Sequence, residues 1–293
     1  MTDCVRIDVP GSTSNLGPGF DALGLALQLP LTLEVERSVD APRGSIAWVF
    51  DRAISGENAI LRGYRARLGA ATDEAPALRV RVHCAIPECA GLGSSAAAIV
   101  AGLRLAALVG GELHVQDLLD AAARLEGHPD NTSASVLGGF VTSCLTPDGH
   151  VATVCSAWPR ELRLVVATPE VPLATRVARA VLPQVVPRAD AVANVQRTAL
   201  LVHALQAGDR RWLREALRDR LHQPYRTALV PGLDDALALE HPTLFGVFLS
   251  GAGPSIAAIV EGDGKPVSAC FRELYAARAL PCTIRVLDAA PPG

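Results

Sequence analysis

The sequence predicts a chain of mixed strands and helices that folds as about two domains. Its 293 residues correspond to two domains of ordinary size, and 49% of them are apolar, which is enough for a sizeable core. Apolar and polar residues alternate over 31–36 and 78–84, which indicates strands with one wet face, as in antiparallel or mixed sheets. The alanine-rich stretch 96–109 has the length and propensity of a helix.

The remaining elements follow from periodicity and from the glycine and proline residues that end them. We expect further helices over 115–126, about 175–181, 189–207, 210–221, 233–240 and 267–277. We expect further strands over 140–145, 162–168, 245–249, 256–260 and 283–287, with a turn at 146–149. A turn at Trp158-Pro159 sets the predicted boundary, so the domains would span 1–158 and 159–293.

Composition excludes several classes of protein. The formal net charge is −3 and 19% of the residues are charged, which excludes a strongly basic nucleic-acid binder and an acidic disordered tail. The most apolar stretch, 96–109, is short and interrupted by Arg104, so no membrane partner is expected. Residues 1–10 lack the basic and apolar regions of a signal peptide. We therefore expect a cytoplasmic protein.

The distribution of basic residues limits the chemistry. Of the 27 basic residues, 26 are arginine, and the single lysine, Lys265, lies in a glycine-rich turn at 262–266. A Walker-type phosphate loop and a protein-kinase site each place a lysine on the phosphates, and a Schiff base also needs one. These three arrangements are therefore disfavoured. The seven cysteines include no CxxC pair, so reduced thiols are expected.

Two segments combine small residues with polar groups that can bind a ligand. Residues 9–21 place Asn15 and Asp21 on a turn rich in glycine and proline, where the backbone can approach a ligand closely. Residues 249–255 form a small-residue loop between two expected strands. By composition alone, a plain surface loop and a tight turn explain these segments equally well.

The segment 87–97 joins an expected strand to the helix 96–109. Gly91 and Gly93 permit unusual backbone angles, so that successive amide groups can point at one anion. Ser94 and Ser95 stand at the helix N-terminus, where free amides and the helix dipole favour phosphate. A simple capped turn is the alternative explanation.

The segment 126–131 follows the expected helix 115–126 and is predicted to be a loop. Its carboxylates, Glu126 and Asp130, are groups that can hold Mg²⁺ or accept a proton. The glycine and proline between them also fit an ordinary helix stop with a solvated turn.

Together and in this order, these four segments resemble the conserved motifs of the GHMP small-molecule kinases. Residues 126–131 have the EGHPDN form found in the members that act on L-homoserine. Residues 175–179 resemble the T-x-x-x-R segment of those members, and residues 219–226 resemble their D-x-x-H-x-P-x-R segment. The resemblance extends from Val9 to Ser255.

The resemblance implies the fold class. GHMP kinases are two-domain α+β proteins with the active site between the domains. Residues 1–158 would form the N-terminal ATP-binding domain, which resembles the second domain of ribosomal protein S5. Residues 159–293 would form a ferredoxin-like C-terminal domain, and a homodimer is the family expectation.

The resemblance also implies an activity and the residues that bind the nucleotide. The reaction would convert ATP and L-homoserine to ADP and O-phospho-L-homoserine, a step of threonine biosynthesis. Mg²⁺ would be held by Glu126 together with Ser95 or Ser94. The other residues implied to bind ATP, the first of them near the adenine, are Asn58, Pro87, Gly91, Leu92, Gly93, Ala96 and Ala97.

The substrate would be held at both of its charged groups. By resemblance, the carboxylate would meet Arg179 and Arg226, which suits the bidentate geometry of arginine, and the amino group would meet Asp21. Whether the reaction uses a general base is open, and we expect an orienting role for Asp130. The hydroxyl is implied to meet Asn15, His128 and Asn131, and Thr175 is implied to lie near the γ-phosphate.

Two other functions remain possible at this point. The acceptor could be that of another GHMP kinase, such as threonine, mevalonate or shikimate. The chain could instead be a non-catalytic ATP-binding regulator, although a decayed enzyme should first lose its metal ligands. A dinucleotide-binding oxidoreductase is excluded because no G-x-G-x-x-G follows a first strand.

Overall fold

A computed structural model describes residues 4–52 and 57–293. The strands are β1 (Val5–Ser14), β2 (Leu23–Arg37), β3 (Ile46–Phe50), β4 (Leu78–Cys84), β5 (Phe140–Leu145), β6 (Val151–Ser156), β7 (Leu162–Pro169), β8 (Leu244–Leu249), β9 (Ile256–Glu261) and β10 (Cys282–Leu287). The helices are α1 (Ala59–Leu68), α2 (Ser94–Gly110), α3 (Val115–Glu126), α4 (Asp130–Leu137), α5 (Thr175–Ala180), α6 (Arg188–Ala207), α7 (Leu213–Ala216), α8 (Gln223–Arg226), α9 (Leu233–Leu237) and α10 (Lys265–Ala276).

The first six strands form one sheet around the long strand β2. This strand pairs antiparallel with β1, β4 and β5, and β3 adds to the edge parallel to β4. Along β4, Leu78, Val80 and Val82 are buried, whereas the arginine and histidine side chains between them are exposed, as the alternation predicts. Helices α2 and α4 pack against β1 and β2, and so close one face of the sheet.

The last four strands form a second, fully antiparallel sheet in the order β10-β7-β9-β8. Its central strands, β7 and β9, are continuous apolar runs with little exposure, and α10 packs against β7 and β10. After β10 the chain returns to the first sheet, where Gln28 donates to the carbonyl of Asp288, and Ala26 and Ala290 form a backbone hydrogen bond. The predicted range 159–293 therefore contributes a segment to the first sheet, and the boundary at residue 158 stays a prediction.

Helices and strands with strong periodicity lie where the sequence predicts them. The helix 115–126 and the strand 140–145 match residue for residue, and most of the others agree to within two residues. Strands β1, β3 and β6 and helices α1, α4 and α8 were not predicted. In the part of the chain that the structure describes, no helix is long and apolar enough to cross a bilayer.

The predicted helix over 210–221 is wrong in its second half, because α7 ends at Ala216. The carboxylate of Asp219 accepts the backbone amides of Leu221, His222 and Gln223 at 2.9, 2.9 and 2.6 Å. An aspartate that captures amides in this way competes with helical hydrogen bonds, so the chain turns here instead of continuing the helix.

Two segments predicted to be loops contain regular, buried structure. Residues 9–14 form the end of β1, and the predicted loop 126–131 ends inside α4, which begins at Asp130. The predicted glycine-rich turn at 262–266 is likewise shorter, because α10 begins at Lys265. In the first two cases polar side chains are stabilised in the interior by partners that are distant in the sequence.

Helices α1 and α2 cross with their backbones in contact. A Cβ atom at Gly102 would lie 2.0 Å from the carbonyl oxygen of Ile60, and one at Gly63 would lie 2.4 Å from that of Ile99. Both distances are far below van der Waals contact, and a backbone carbonyl inside a helix cannot move aside. Glycine is therefore required at the crossing, although it is a poor helix former.

We expect Gly102→Ala to destabilise the fold by about 1–3 kcal/mol, because overpacking outweighs the better helix propensity of alanine. The matched control is Gly110→Ala in the same helix, where the new Cβ would meet only a terminal methyl of Leu68 at 2.7 Å. Thermal unfolding of both variants checks this. An unchanged melting temperature in Gly102→Ala would contradict the close crossing.

Candidate active site

A cavity of about 330 Å³ is lined by segments that connect the strands of the two sheets. These segments are the loop after β1, the N-terminus of α2, the start of α4, the helices α5 and α8, and the loop after β8. The predicted site residues that line it are Asn15, Asp21, Asn58, Gly91, Gly93, Ser94, Ser95, Glu126, His128, Asp130, Asn131, Thr175, Arg179 and Arg226.

Four residues that were predicted to bind the nucleotide do not line this cavity. Pro87 lies just before the loop, and Leu92, Ala96 and Ala97 point into the hydrophobic core. Leu92, Ala96 and Ala97 would therefore have to contact the nucleotide through their backbone atoms. The role of all four stays a prediction.

The loop before α2 requires glycine at two positions. Gly91 and Gly93 have φ values of +72° and +71°. A Cβ at Gly91 would lie 2.2 Å from the carbonyl oxygen of Ser250, and one at Gly93 would lie 2.1 Å from the hydroxyl of Ser12. The loop is thus held between β1 and the loop after β8. It opens α2, whose first amides have no helical acceptor and favour an anion.

A hydroxyl and a carboxylate meet beside this helix N-terminus. Ser95 Oγ donates to Glu126 Oε2 at 2.7 Å, and Arg62 Nη2 lies 3.8 Å from the same oxygen. Magnesium prefers oxygen ligands and is usually held by one or two protein groups together with substrate phosphates. The pair therefore fits a magnesium site, and this geometry favours Ser95 over Ser94 as the ligand.

On the other side of the cavity, two arginines differ in their partners. Arg179 forms a bidentate ion pair with Asp21 at 2.6 and 3.1 Å. Arg226 is 1% exposed and donates to the carbonyl oxygens of Ala178 and Gly251 at 2.9 and 3.1 Å. Within the described ranges no carboxylate pairs with Arg226. Burial and repulsion by Arg179 lower the pKa of Arg226 to about 10. The charges of Asp21 and Asp219 act on Arg226 from a distance, but this buried cation forms no direct ion pair among the described residues.

The start of α4 carries a second ion pair. His128 Nδ1 lies 2.6 Å from Asp130 Oδ1, and the amide of Asn131 donates to the same oxygen at 2.7 Å. Burial raises the pKa of Asp130, which is 1% exposed, but the bond and charge of His128 outweigh burial and hold this pKa below its ordinary value. Burial lowers the pKa of His128, but the bond and charge of Asp130 raise it overall. Each partner therefore favours the ionised form of the other, the carboxylate of Asp130 and the imidazolium of His128.

The side-chain amides of the two predicted hydroxyl-binding asparagines are used within the protein. Asn15 donates to the carbonyl of Gly251 at 2.9 Å and accepts from the amide of Asp21 at 3.0 Å. Asn131 bonds the hydroxyls of Ser12 and Ser14 at 2.8 and 2.9 Å. Both amides hold the cavity wall in place, whereas His128 Nε2 has no hydrogen-bond partner among the described residues.

The residues that support Arg226 were not predicted to belong to the site. Asp219 is fully buried and accepts from Asn194 Nδ2 at 2.7 Å as well as from three backbone amides. His222 lies 2.7 Å from the carbonyl oxygen of Gly17 through Nε2, and burial lowers the pKa of this histidine. Neutral His222 therefore donates to Gly17 and accepts from Arg226 through Nδ1 at 3.3 Å. The signal in the sequence was the D-x-x-H-x-P-x-R spacing itself.

Family models match both halves of the chain. Residues 58–139 match the GHMP kinases N-terminal domain, and residues 201–277 match the GHMP kinases C-terminal domain. The mixed helix and strand architecture agrees with this match, and the predicted α+β fold of a GHMP kinase is confirmed.

Individual relatives show to which members of the GHMP kinases this chain is similar. A homoserine kinase of Thermus thermophilus is 43% identical over 270 residues, which is 90% of each chain. A homoserine kinase of Gloeobacter violaceus is 44% identical over 273 residues, 89% of this chain and 88% of its own. The crystal structure of homoserine kinase from Cytophaga hutchinsonii has a TM-score of 0.84 and 27% identity, and the match covers 99% of this chain and 96% of that one. The chain belongs to the homoserine kinase family within the GHMP kinases.

The ion pair at the start of α4 predicts an unusual histidine titration. Because the pKa of His128 is raised, the stability that the pair contributes is present below about pH 6.5 and is lost as pH rises through the folded pKa. We expect NMR to show His128 titrating above about 6.5 in the wild type and below it in Asp130→Asn, where burial acts without its partner. His150, which pairs with Asp120 instead, should titrate alike in both proteins. A value for His128 that stays raised in the variant would refute the pairing.

Proposed function

We propose that this chain transfers the γ-phosphoryl group of ATP to the side-chain hydroxyl of L-homoserine, giving ADP and O-phospho-L-homoserine. The observation that carries the proposal is the buried guanidinium of Arg226, which forms no direct ion pair among the described residues and lines the same cavity as the loop before α2. A buried charge without a partner is costly, so an anionic group of the substrate fits there. The relatives that cover most of the chain are homoserine kinases.

The two charged groups of an amino acid match the charges of Asp21, Arg179 and Arg226, which together form the arginine cluster of the cavity. The substrate carboxylate would bind Arg179 and Arg226, and its ammonium group would bind Asp21. The existing bond between Asp21 and Arg179 supports this assignment, because both partners are already ionised and lie beside the cavity. Substrate binding would extend this ion pair into a network of five charged groups of alternating sign.

The nucleotide would lie toward α2. Its phosphates would meet the free amides of this helix, and Ser95 and Glu126 would hold Mg²⁺, which offsets the charge on the β- and γ-phosphates when it is bound. Asn58 caps α1 by accepting from the amides of Ile60 and Leu61, both at 3.1 Å, and it also lines the cavity. The side chain of Asn58 is therefore accessible to an adenine at the predicted place. Thr175 also lines the cavity and is accessible to the γ-phosphate.

We infer that the reaction proceeds without a strong general base. Asp130 is buried with a lowered pKa and is bonded to His128 and Asn131, so it is a weak proton acceptor. The single lysine, Lys265, is exposed and pairs with Asp263 instead of lining the cavity. Phosphoryl transfer has a loose transition state, so that positioning and charge stabilisation can supply most of the rate. The imidazolium form of His128, which Asp130 favours, would contribute to that stabilisation.

The alternatives are less well supported. The relatives named above favour homoserine over threonine, mevalonate or shikimate as the acceptor. The bonded pair of Ser95 and Glu126 is intact, which argues against a regulator that has lost catalysis. The homodimer and the cytoplasmic location stay predictions.

The first test of the proposal compares acceptors. We expect ADP release from Mg-ATP with L-homoserine, and none above background with L-threonine, mevalonate or shikimate. Arg179→Gln should raise the KM for L-homoserine about 10- to 150-fold, which corresponds to one charge-assisted bond. The control is Arg176→Gln on the same helix, since Arg176 is exposed and does not line the cavity.

Two results would overturn the proposal in different ways. Turnover with a different acceptor would keep the kinase activity but contradict the substrate. Measurable ATP binding without turnover of any acceptor would support the non-catalytic regulator instead.

A second test concerns the metal. We expect Ser95→Ala and Glu126→Gln each to raise the Mg²⁺ concentration for half-maximal activity roughly tenfold or more, because the first removes a ligand oxygen and the second removes the carboxylate charge. Ser94→Ala serves as the control, since its hydroxyl does not bond Glu126. A larger effect of Ser94→Ala than of Ser95→Ala would reverse the assignment of the ligand.

A further inference from the structure

The ring of Phe20 lies at the centre of the arginine cluster. The guanidinium carbons of Arg179 and Arg226 each lie 5.5 Å from the ring centroid, and the imidazole of His222 stacks on the ring at 5.2 Å and 24°. Phe20 is partly exposed and lines the cavity. One aromatic side chain thus contacts both of the arginines assigned to the substrate carboxylate.

The two guanidinium groups need such a contact because they repel each other. Asp21 forms a direct ion pair with Arg179, whereas Asp21 and Asp219 attract Arg226 only from a distance, and no described carboxylate forms an ion pair with it. The charge of Arg179 also contributes to the lowered pKa of Arg226. An aromatic face attracts a guanidinium within about 6 Å, and the attraction grows when the pair is shielded from water.

We propose that Phe20 is a positioning residue for the substrate carboxylate. Its ring holds the guanidinium groups of Arg179 and Arg226 at the spacing in which both can bind one carboxylate. This inference rests on the proposed function and deepens it. It makes Phe20 a determinant of specificity for acceptors that carry a carboxylate.

The backbone around Phe20 keeps the ring in place. A Cβ at Gly17 would lie 2.1 Å from the carbonyl oxygen of Leu217, and one at Gly19 would lie 2.3 Å from the side chain of Leu23. His222 bonds the carbonyl of Gly17 and also stacks on the ring. The segment before Phe20 is therefore packed on both sides, and the ring forms a fixed surface for the two arginines.

The test replaces the ring while keeping an apolar side chain. We expect Phe20→Leu to raise the KM for L-homoserine about tenfold, because the variant loses two cation–π contacts. The KM for Mg-ATP and kcat should not change measurably. The inhibition constant of 3-aminopropan-1-ol, a homoserine analogue without the carboxylate, should also be unchanged.

A matched control is available outside the cavity. Phe245 contacts the guanidinium of Arg210 at the same 5.5 Å, and neither residue lines the cavity. Phe245→Leu therefore removes an equivalent contact, and we expect it to leave the KM for L-homoserine unchanged.

Three outcomes would overturn the role of Phe20. The first is an unchanged KM for L-homoserine in Phe20→Leu, and the second is equal weakening of L-homoserine and 3-aminopropan-1-ol. Phe20→Tyr is the second variant, for use if Phe20→Leu does not fold. It keeps the ring, so we expect its KM for L-homoserine to equal that of the wild type. A tenfold rise of this KM in Phe20→Tyr is the third contradicting outcome. Failure of the proposed function is distinguishable, because wild-type protein would then not phosphorylate L-homoserine at all.

Discussion

The side-chain amide of Asn131 joins the start of α4 to the end of β1, and the rest of the site depends on this junction. The amide oxygen accepts from Ser12 at 2.8 Å, and the amide nitrogen donates to Ser14 at 2.9 Å. All three side chains are buried, so losing one partner would leave a polar group unpaired at a cost of about 1–3 kcal/mol. The junction fixes Asp130, which precedes Asn131, beside the cavity.

The same end of β1 also fixes the other segments of the site. The amide of Ser12 donates to Leu92 in the loop before α2 at 3.1 Å, and Thr13 bonds the hydroxyl of Ser250 at 2.7 Å. Asn15 donates to the carbonyl of Gly251, which follows Ser250 in the loop after β8. Four consecutive buried polar residues, 12–15, therefore connect the phosphate side of the cavity to the substrate side. This framework holds the alternating charges of the site in place.

The sequence predicts the local features of this architecture and misses the tertiary ones. Periodicity located the helix 115–126, and the glycines around Leu92 located the loop before α2, because both depend on neighbouring residues. The end of β1 resembled a loop because its polar side chains find partners more than 100 residues away. The bond between Asp21 and Arg179 spans 158 positions, and no local pattern could predict it.

The central claim is that this framework catalyses transfer by positioning and charge, with Asp130 as an orienting group. The most direct measurement is kcat for Asp130→Asn with saturating L-homoserine and Mg-ATP, because the amide keeps the shape of the side chain but cannot accept the proton. The account predicts a loss smaller than about 10²-fold, below the contribution of a positioned general base. A loss of about 10²-fold or more would contradict it.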